Sequence, residues 1–437
     1  MISELKIEGF KSFGMGARPM PLGPLTFLVG ANAAGKTNVI SALRFLRTAA
    51  LHNIEIAVDE FGGVAEVGNK ILRERSEFKP LMLRLKFTPL GGRFKSGGRD
   101  VEIPKATYEL ELNVRNDSGL PEIVSEHLAA EVRPAQSPPL EYKLSRTTEE
   151  VVIEDPLADD STIPRRLPVP AQERTRLAIG VGFYSPPCVA LRSTIEGWSF
   201  FNISPQVARA AYKESADVNL GPSGEHLSVI LHKIEKENGK GSLDAIIAGL
   251  KGAIPGFKGI KTTQLPVENK WAFQLVEERI RGAINPESVS DGTIRLLALM
   301  VIATWSSRHS SLLAIEEPEN GLHPHLSEHT VSLLREASER RQIIVTTHNP
   351  SFLDFLQPEE VLLCDKVQGF TKVRSAAEIG EITQFKRRFR LGELWEQGVL
   401  GGIPGSLASA WKDLPITSSG ARSCTNTFAG SGSTSAT

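Results

Sequence analysis

A glycine-rich loop at residues 30–37 carries the residue types that bind phosphate groups. It reads Gly-Ala-Asn-Ala-Ala-Gly-Lys-Thr, which is the pattern G-x-x-x-x-G-K-T. The glycines let the backbone turn its N–H groups toward an anion, and the start of a following helix adds partial positive charge. In this pattern Lys36 neutralises the β- and γ-phosphates of a nucleotide, and the hydroxyl of Thr37 holds Mg²⁺. The loop therefore predicts a binding site for a nucleoside triphosphate.

The segments on either side of this loop have the patterns of a strand and a helix. Residues 25–29 form an apolar run, and the segment after the loop places Val39, Leu43 and Leu46 on one face at helical spacing. Strand, glycine loop and helix in this order are the context that a phosphate-binding loop needs. The alternative, a chance glycine-rich turn, would not require either flank.

Two further predicted strands end in residues that could act on a bound nucleotide. A strand at residues 312–315 precedes Glu316 and Glu317, and a strand at 342–347 precedes His348. In an open α/β sheet, ligands bind at the carboxyl ends of the strands. Glu316 suits the Mg²⁺ shell, Glu317 suits polarising an attacking water, and His348 suits sensing a phosphate. The alternatives are an acidic strand end in solvent and a structural histidine.

Length, charge and cysteine content narrow the class of protein. With 437 residues, the chain is long enough for two or three lobes. Its 50 basic and 51 acidic side chains balance, so the overall charge does not indicate a protein that binds nucleic acid or anionic membranes. The three cysteines have no metal-ligand spacing and favour a reducing compartment. Because no apolar run is long enough for a bilayer and the N-terminus does not resemble a signal peptide, we predict a cytoplasmic protein without membrane contact.

The rest of the chain divides into regions of different pattern. Short strands separated by Gly, Pro, Asn and Ser indicate an antiparallel β subdomain, and an exposed loop at 155–175 precedes a helical stretch. The end of the chain is rich in Ser, Thr, Gly and Ala, with few large apolar groups. The predicted divisions are a core at 1–80 and 270–404, the β subdomain at 81–155, a loop and helical lobe at 156–269, and a partly disordered tail at 405–437.

Four motifs in a fixed order resemble those of ABC-type ATPases. They are the Walker A loop at 30–38, the signature Ser290-Asp291-Gly292-Thr293, Walker B with the D-loop at 316–324, and the switch histidine segment at 346–350. The resemblance is to the branch that includes RecF, SMC heads and OLD-type ATPases, and more narrowly to bacterial AAA-like predicted ATPases. It covers residues 1–404. It implies an α/β fold, a P-loop NTPase like an ABC ATPase head, with an antiparallel β subdomain and a helical lobe.

The same resemblance implies a role for each motif residue. Glu317 resembles the catalytic carboxylate and His348 the γ-phosphate sensor, while Thr37 and Glu316 would hold Mg²⁺. In a head-to-tail homodimer formed on ATP binding, the signature would complete the site of the other protomer. Walker B ends in Glu-Glu where the family usually has Asp-Glu, so the metal carboxylate is one methylene longer. The residues that would contact ATP are Gly30, Asn32, Gly35, Lys36, Thr37, Asn38, Ser290 and Gly292.

The function implied by the resemblance is an ATP-hydrolysing switch that dimerises on ATP, in DNA maintenance or phage defence with a partner effector. The alternatives are an OLD-like ATPase coupled to a nuclease, a transporter subunit, and a nucleotide-binding scaffold with little turnover. Residues 351–437 contain no D-x-D cluster that would favour a nuclease, and the Ser-Asp-Gly-Thr signature argues against a transporter. A basic segment with aromatics, residues 385–390, suits contact with a nucleic-acid backbone. The alternatives are a solvated basic face and a packing segment whose aromatics are buried.

Overall fold

The computed structural model describes residues 1–402 with short gaps. The gaps are 75–78, 92–93, 97–98, 115–119, 136, 159–164, 181–184, 216–217, 238–239, 307–309, 381, 383–385 and 387. The predicted disordered tail at 405–437 lies outside the described residues. The strands are β1 (Ile2–Glu8), β2 (Met20–Pro21), β3 (Leu25–Val29), β4 (Leu81–Phe87), β5 (Phe94–Ser96), β6 (Arg99–Asn113), β7 (Glu122–Pro134), β8 (Leu140–Arg146), β9 (Glu150–Glu154), β10 (Arg165–Pro168), β11 (Trp198–Phe201), β12 (Phe257–Leu265), β13 (Lys270–Glu277), β14 (Leu312–Glu316), β15 (Gln342–Thr347), β16 (Val361–Val367) and β17 (Phe370–Ser375).

The α-helices surround these strands. They are α1 (Lys36–Leu51), α2 (Ile54–Glu60), α3 (Val64–Val67), α4 (Lys70–Glu74), α5 (Pro186–Glu196), α6 (Pro205–Ala208), α7 (Leu227–Glu237), α8 (Lys240–Ala253), α9 (Asp291–Thr304), α10 (Ser327–Ser338), α11 (Pro350–Leu353) and α12 (Leu391–Glu396). Among the described residues, no helix combines the length and the apolar character needed to cross a membrane.

A central sheet brings the predicted strands together. Its order is β11-β14-β15-β3-β16-β17, and all neighbours are parallel except the pair β16 and β17. Strands such as β3 and β15 are buried along their whole length because both faces of the sheet are covered. The strands predicted at 25–29, 312–315 and 342–347 are confirmed as β3, β14 and β15. They are neighbours in space, so their carboxyl ends lie side by side.

A larger antiparallel sheet covers one side of the core. Its order is β10-β9-β8-β7-β6-β4-β1-β2, with β5 paired to β6. The sheet therefore extends beyond residues 81–155 in both directions, since it also takes in β1 and β10. The prediction of an exposed loop over 155–175 is wrong for Arg165–Pro168, which pairs with β9 as an edge strand. Pro168 is tolerated there because an edge strand does not need every N–H for the ladder.

Two apolar cores lie on opposite faces of the central sheet. One core joins this sheet to α1 and the antiparallel sheet, and the other joins it to α7, α8, α9 and α10. Gln342 links the two sheets, since its side chain accepts from the Ile2 N–H at 2.8 Å and donates to the Ile2 carbonyl at 2.7 Å. The hairpin β12–β13 packs on α7 and α8, so Lys270–Glu277 lies with the helical lobe.

Candidate functional site

The glycine loop runs from the end of β3 to the start of α1 and is packed closely by β16 and β17. Gly35 has a φ of 101°, a conformation that favours glycine. A Cβ atom at Gly35 would overlap the Thr371 hydroxyl, and one at Gly30 would overlap the Cys364 carbonyl oxygen. The two glycines of the pattern are therefore required by their neighbours as well as by the turn itself.

A chain of hydrogen bonds fixes the loop against the hairpin β16–β17. Asn38 donates to the Ser12 hydroxyl at 2.6 Å, Ser12 bonds to Thr371 at 2.6 Å, and Thr371 donates to the Ala34 carbonyl at 3.0 Å. The side-chain amide of Asn38, predicted to contact a nucleotide, is thus used within the chain. Sequence reasoning did not find Thr371 because no local motif links it to a loop that is far away along the chain.

Lys36 lies across the inside of the loop. Its ammonium donates to the carbonyl oxygens of Gly30 at 2.8 Å and Ala31 at 3.0 Å, and the residue is 5% exposed. Burial lowers the pKa of Lys36, and the charges around it, Glu317 among them, oppose this shift. An ammonium has three hydrogens, so one remains available for an anion at the loop. Asn32 and Thr37 are exposed on the same loop.

Glu316, at the end of β14, is buried beside the loop and has two partners. The Thr37 hydroxyl donates to its carboxylate, and a guanidinium nitrogen of Arg44 lies 3.3 Å from Oε1. Burial raises the pKa of Glu316, whereas Arg44 and the hydrogen bond from Thr37 lower it. The two side chains predicted to hold Mg²⁺ are thus in contact and offer the oxygen ligands that this ion prefers. Arg44 was missed because a single arginine on a helix carries no motif.

Glu317 follows Glu316 with an unusual backbone conformation. Its φ is 44°, which is rare for a residue with a side chain and costs on the order of 1 kcal/mol. Its N–H bonds to the Thr346 carbonyl oxygen at 3.0 Å, which ties the turn to β15. Asn320 donates to Oε2 at 2.8 Å, and Oε1 lies 3.5 Å from His348 Nδ1. The strained turn therefore directs the carboxylate toward the end of the neighbouring strand.

Glu319 is a site residue to which sequence reasoning gave no role. Its Oε1 accepts from the Thr347 hydroxyl at 2.6 Å and from the His348 N–H at 3.0 Å. Its Oε2 is buried and has no hydrogen-bond partner within the described part of the chain. Burial raises the pKa of Glu319, and the two hydrogen bonds act in the opposite direction. The signal that could have found it is the third glutamate of Glu-Glu-Pro-Glu, directly after a buried strand.

The signature segment lies beside the D-loop. Ser290 caps α9, accepting the Thr293 N–H at 3.2 Å, and it is exposed. A Cβ atom at Gly292 would lie 2.5 Å from the Gly321 carbonyl oxygen, so only glycine permits this close packing. Arg209 pairs with Asp291 at 2.6 Å and steadies the start of the helix. The loop, Glu316, Glu317 and His348 thus share the carboxyl edge of the sheet, while Ser290 and Gly292 lie at the start of α9.

The basic segment at 385–390 makes contacts within the chain. Lys386 donates to the Gln357 side chain at 2.7 Å, and Arg390 lies 3.6 Å from the carboxylate of Asp354. Phe389 is exposed, whereas Phe385 and Arg387 lie outside the described residues. Because Phe389 and the Arg390 side chain are exposed, the segment agrees with a solvated basic face, and its contacts do not by themselves indicate nucleic acid.

Comparison with known proteins identifies similar domains. The profile of the family described as "AAA domain, putative AbiEii toxin, Type IV TA system" matches residues 25–170 and 189–354. No curated protein sequence matches significantly. Among solved structures, an SMC head bound to the C-winged helix domain of ScpA is 14% identical, with a TM-score of 0.47, covering 86% of this chain and 97% of that one.

Two other SMC heads are similar over comparable lengths. The SMC head domain from Thermotoga maritima is 16% identical, with a TM-score of 0.38, covering 86% of this chain and 98% of that one. The Smc head with an extended coiled coil, bound to the C-terminal domain of ScpA and derived from Pyrococcus furiosus, is 12% identical. Its TM-score is 0.46, and the match covers 89% of this chain and 99% of that one.

Proposed function

We propose that the chain binds and hydrolyses ATP, and that ATP binding controls its dimerisation. The chain belongs to the AAA domain family whose profile it matches, and it has a P-loop ATPase fold of the ABC and SMC-head type. A single observation supports this most strongly. Lys36, Glu316 with Glu317, and His348 follow three strands that are adjacent in the sheet but far apart in the sequence.

Each residue has a distinct part in the proposed reaction. The loop N–H groups and Lys36 bind the phosphates, because the ammonium offsets the triphosphate charge. Thr37 and Glu316 would hold Mg²⁺, which when bound neutralises phosphate charge. Glu317 orients and polarises the attacking water with one oxygen, while Asn320 holds the other oxygen. His348 meets the γ-phosphate from the end of β15.

The proposed dimer is a head-to-tail pair with ATP between the protomers. The hydroxyl of Ser290 is exposed at the N-terminus of α9, where the helix dipole favours an anion. Because the Ser290 hydroxyl bonds to Thr293 in the first turn of α9, it remains at the helix start and is suited to meet a phosphate held by a partner protomer.

The pathway is a further part of the proposal. The family description names an AbiEii toxin and a toxin–antitoxin system, which supports a role in phage defence with a partner effector. Contact with nucleic acid would belong to that role. Co-purification of a tagged chain from its own host, followed by mass spectrometry of bound protein and sequencing of bound nucleic acid, tests this part. Recovery of neither would contradict it.

The experiment for hydrolysis measures phosphate release and ATP binding by the purified chain with Mg²⁺. Lys36→Ala removes the charge that offsets the triphosphate, so we expect binding and turnover to fall below detection. Glu339→Gln is a matched control, since Glu339 is exposed at the end of α10 and away from the sheet edge. Phosphate release by Lys36→Ala equal to that of the wild type would mean that hydrolysis occurs elsewhere.

The same purified protein tests whether ATP binding controls dimerisation. Glu317→Gln keeps the phosphate contacts but removes the carboxylate that activates water, so ATP should accumulate between protomers. Because a ligand that binds only the dimer shifts the equilibrium by mass action, light scattering should report a mass approaching twice 47.6 kDa. Adding Ser290→Arg should reverse this, since a bulky cation blocks the contact. The proposed dimer with ATP between the protomers is wrong if the mass of Glu317→Gln is the same with and without ATP.

A further inference from the structure

The end of β14 and the end of β15 are joined by a buried carboxylate that the proposed reaction does not use. The side chain of Glu319 is 4% exposed, and its Oε1 receives hydrogen bonds from the Thr347 hydroxyl and the His348 N–H. Thr347 is the last residue of β15, and His348 directly follows it. Glu319 therefore fixes the backbone on which the switch histidine is mounted.

The imidazole of His348 lies between two carboxylates. Nδ1 is 3.5 Å from Glu317 Oε1 and 3.7 Å from Glu319 Oε1, and both distances are too long for a hydrogen bond. Nδ1 is buried and lacks a hydrogen-bond partner among the residues described. A buried imidazole nitrogen without a partner costs free energy, so a small movement that gives it an acceptor is favoured.

The two carboxylates are not equivalent acceptors. The Glu317 side chain is 34% exposed, is held by Asn320, and is the group proposed to act on water. Glu319 is enclosed, and its Oε2 is still without a partner in the described structure. An acceptor beside Nδ1 determines which ring nitrogen carries the hydrogen and how the ring is turned. Of these two carboxylates, Glu319 is the one that can supply the acceptor while Glu317 remains engaged with water.

We propose that Glu319 is a positioning residue for His348, which holds the ring through Nδ1 so that Nε2 faces the γ-phosphate. This inference rests on the proposed ATP hydrolysis. It makes Glu319 the link between the turn after β14, which carries the catalytic carboxylate, and the turn after β15, which carries the phosphate sensor. A purely structural Glu319 would only tie the two strand ends together.

A double-mutant cycle on kcat tests whether Glu319 acts through the His348 side chain. Glu319→Ala should lower kcat by about 10- to 100-fold, the effect of a misplaced catalytic group, with KM within about twofold. In a His348→Ala background the same change should have almost no further effect, because Glu319 would act through the missing ring. Glu319→Gln keeps a carbonyl acceptor and should restore part of kcat. The exposed control Glu339→Gln should leave both constants unchanged.

Two results would overturn the inference while leaving the proposed function intact. One is an equal loss from Glu319→Ala with and without His348, and the other is a wild-type kcat in Glu319→Ala. Absence of hydrolysis by the wild type would instead contradict the proposed function. For that case, NMR of ¹⁵N-histidine-labelled protein gives an independent test. The inference requires a different Nδ1 signal of His348 in Glu319→Gln, and identical spectra would overturn it.

Discussion

Two buried glutamates, Glu126 in the antiparallel sheet and Glu319 at the edge of the central sheet, are treated very differently by their surroundings. Oε1 of Glu126 accepts from the Tyr108 hydroxyl at 3.0 Å and the Ile179 N–H at 3.2 Å. Its Oε2 accepts from the Ala178 N–H at 2.6 Å and lies 3.7 Å from Arg146. Both oxygens of Glu126 are thus engaged, whereas one oxygen of Glu319 has no partner in the described part of the chain.

The difference separates a structural charge from a functional one. Burial raises the pKa of both carboxyl groups. At Glu126 the Arg146 charge, two N–H groups and a hydroxyl oppose that shift, and the cluster joins the segment around Ala178 to β6, β7 and β8. Among the described residues, Glu319 Oε2 has no hydrogen-bond donor and the neighbouring His348 Nδ1 has no partner, while Glu317 beside them has a strained backbone. Incomplete pairing and strain persist where chemistry needs them and are avoided where only packing is needed.

The largest expected effect is on the structural cluster. Glu126→Ala leaves Arg146 buried without its ion-pair partner and opens a cavity, which should reduce the free energy of unfolding by about 3–5 kcal/mol. Urea unfolding followed by circular dichroism measures this as a lower midpoint. ATP binding by the folded fraction should persist, since the cluster is remote from the glycine loop. A loss below about 1 kcal/mol would mean that the two glutamates do not differ in this way.

A smaller effect, an increase in the free energy of unfolding, is expected when Glu319 is replaced. Because the folded pKa of Glu319 is raised above its ordinary 4.5, the unfolded chain loses this proton first, and stability falls as the pH rises from 4.5 through the folded pKa. Glu319→Gln removes that loss, so we expect it to be on the order of 1 kcal/mol more stable than wild type at pH 8. Urea midpoints at pH 5 and pH 8 test this. A larger gain at pH 5 than at pH 8 would contradict the assignment.

The smallest effect is expected from an exposed carboxylate. Glu150 of β9 and Arg166 of the edge strand β10 form an ion pair at 2.9 Å, with side chains that are 42% and 66% exposed. Glu150→Gln should change the free energy of unfolding by no more than about 1 kcal/mol, because solvent and salt screen the pair. The measurement is the same urea midpoint, in low and high salt. If Glu150→Gln lowered the free energy of unfolding nearly as much as Glu126→Ala, burial would not explain the difference between the two glutamates.

Much of the architecture follows from local sequence. The mainly apolar segments at 25–29, 312–315 and 342–347 are long enough to be strands of a covered sheet, and the glycine loop between a strand and a helix has a fixed local geometry. Arg165–Pro168 has no such apolar pattern. It forms a strand because it lies beside β9 and pairs with it, which its own sequence does not indicate. Edge strands are difficult to predict for this reason.

The identities of the site residues can be read from the sequence, because G-x-x-x-x-G-K-T, Glu-Glu and a strand-ending histidine each have a local pattern with a chemical meaning. The contacts that support these residues are visible only in the folded chain. Ser12 and Thr371 fix the loop, Arg44 pairs with Glu316, and Glu319 reaches the end of β15. These contacts join residues that are remote along the chain, and the order of strands in the sheet, which no local pattern encodes, brings them together.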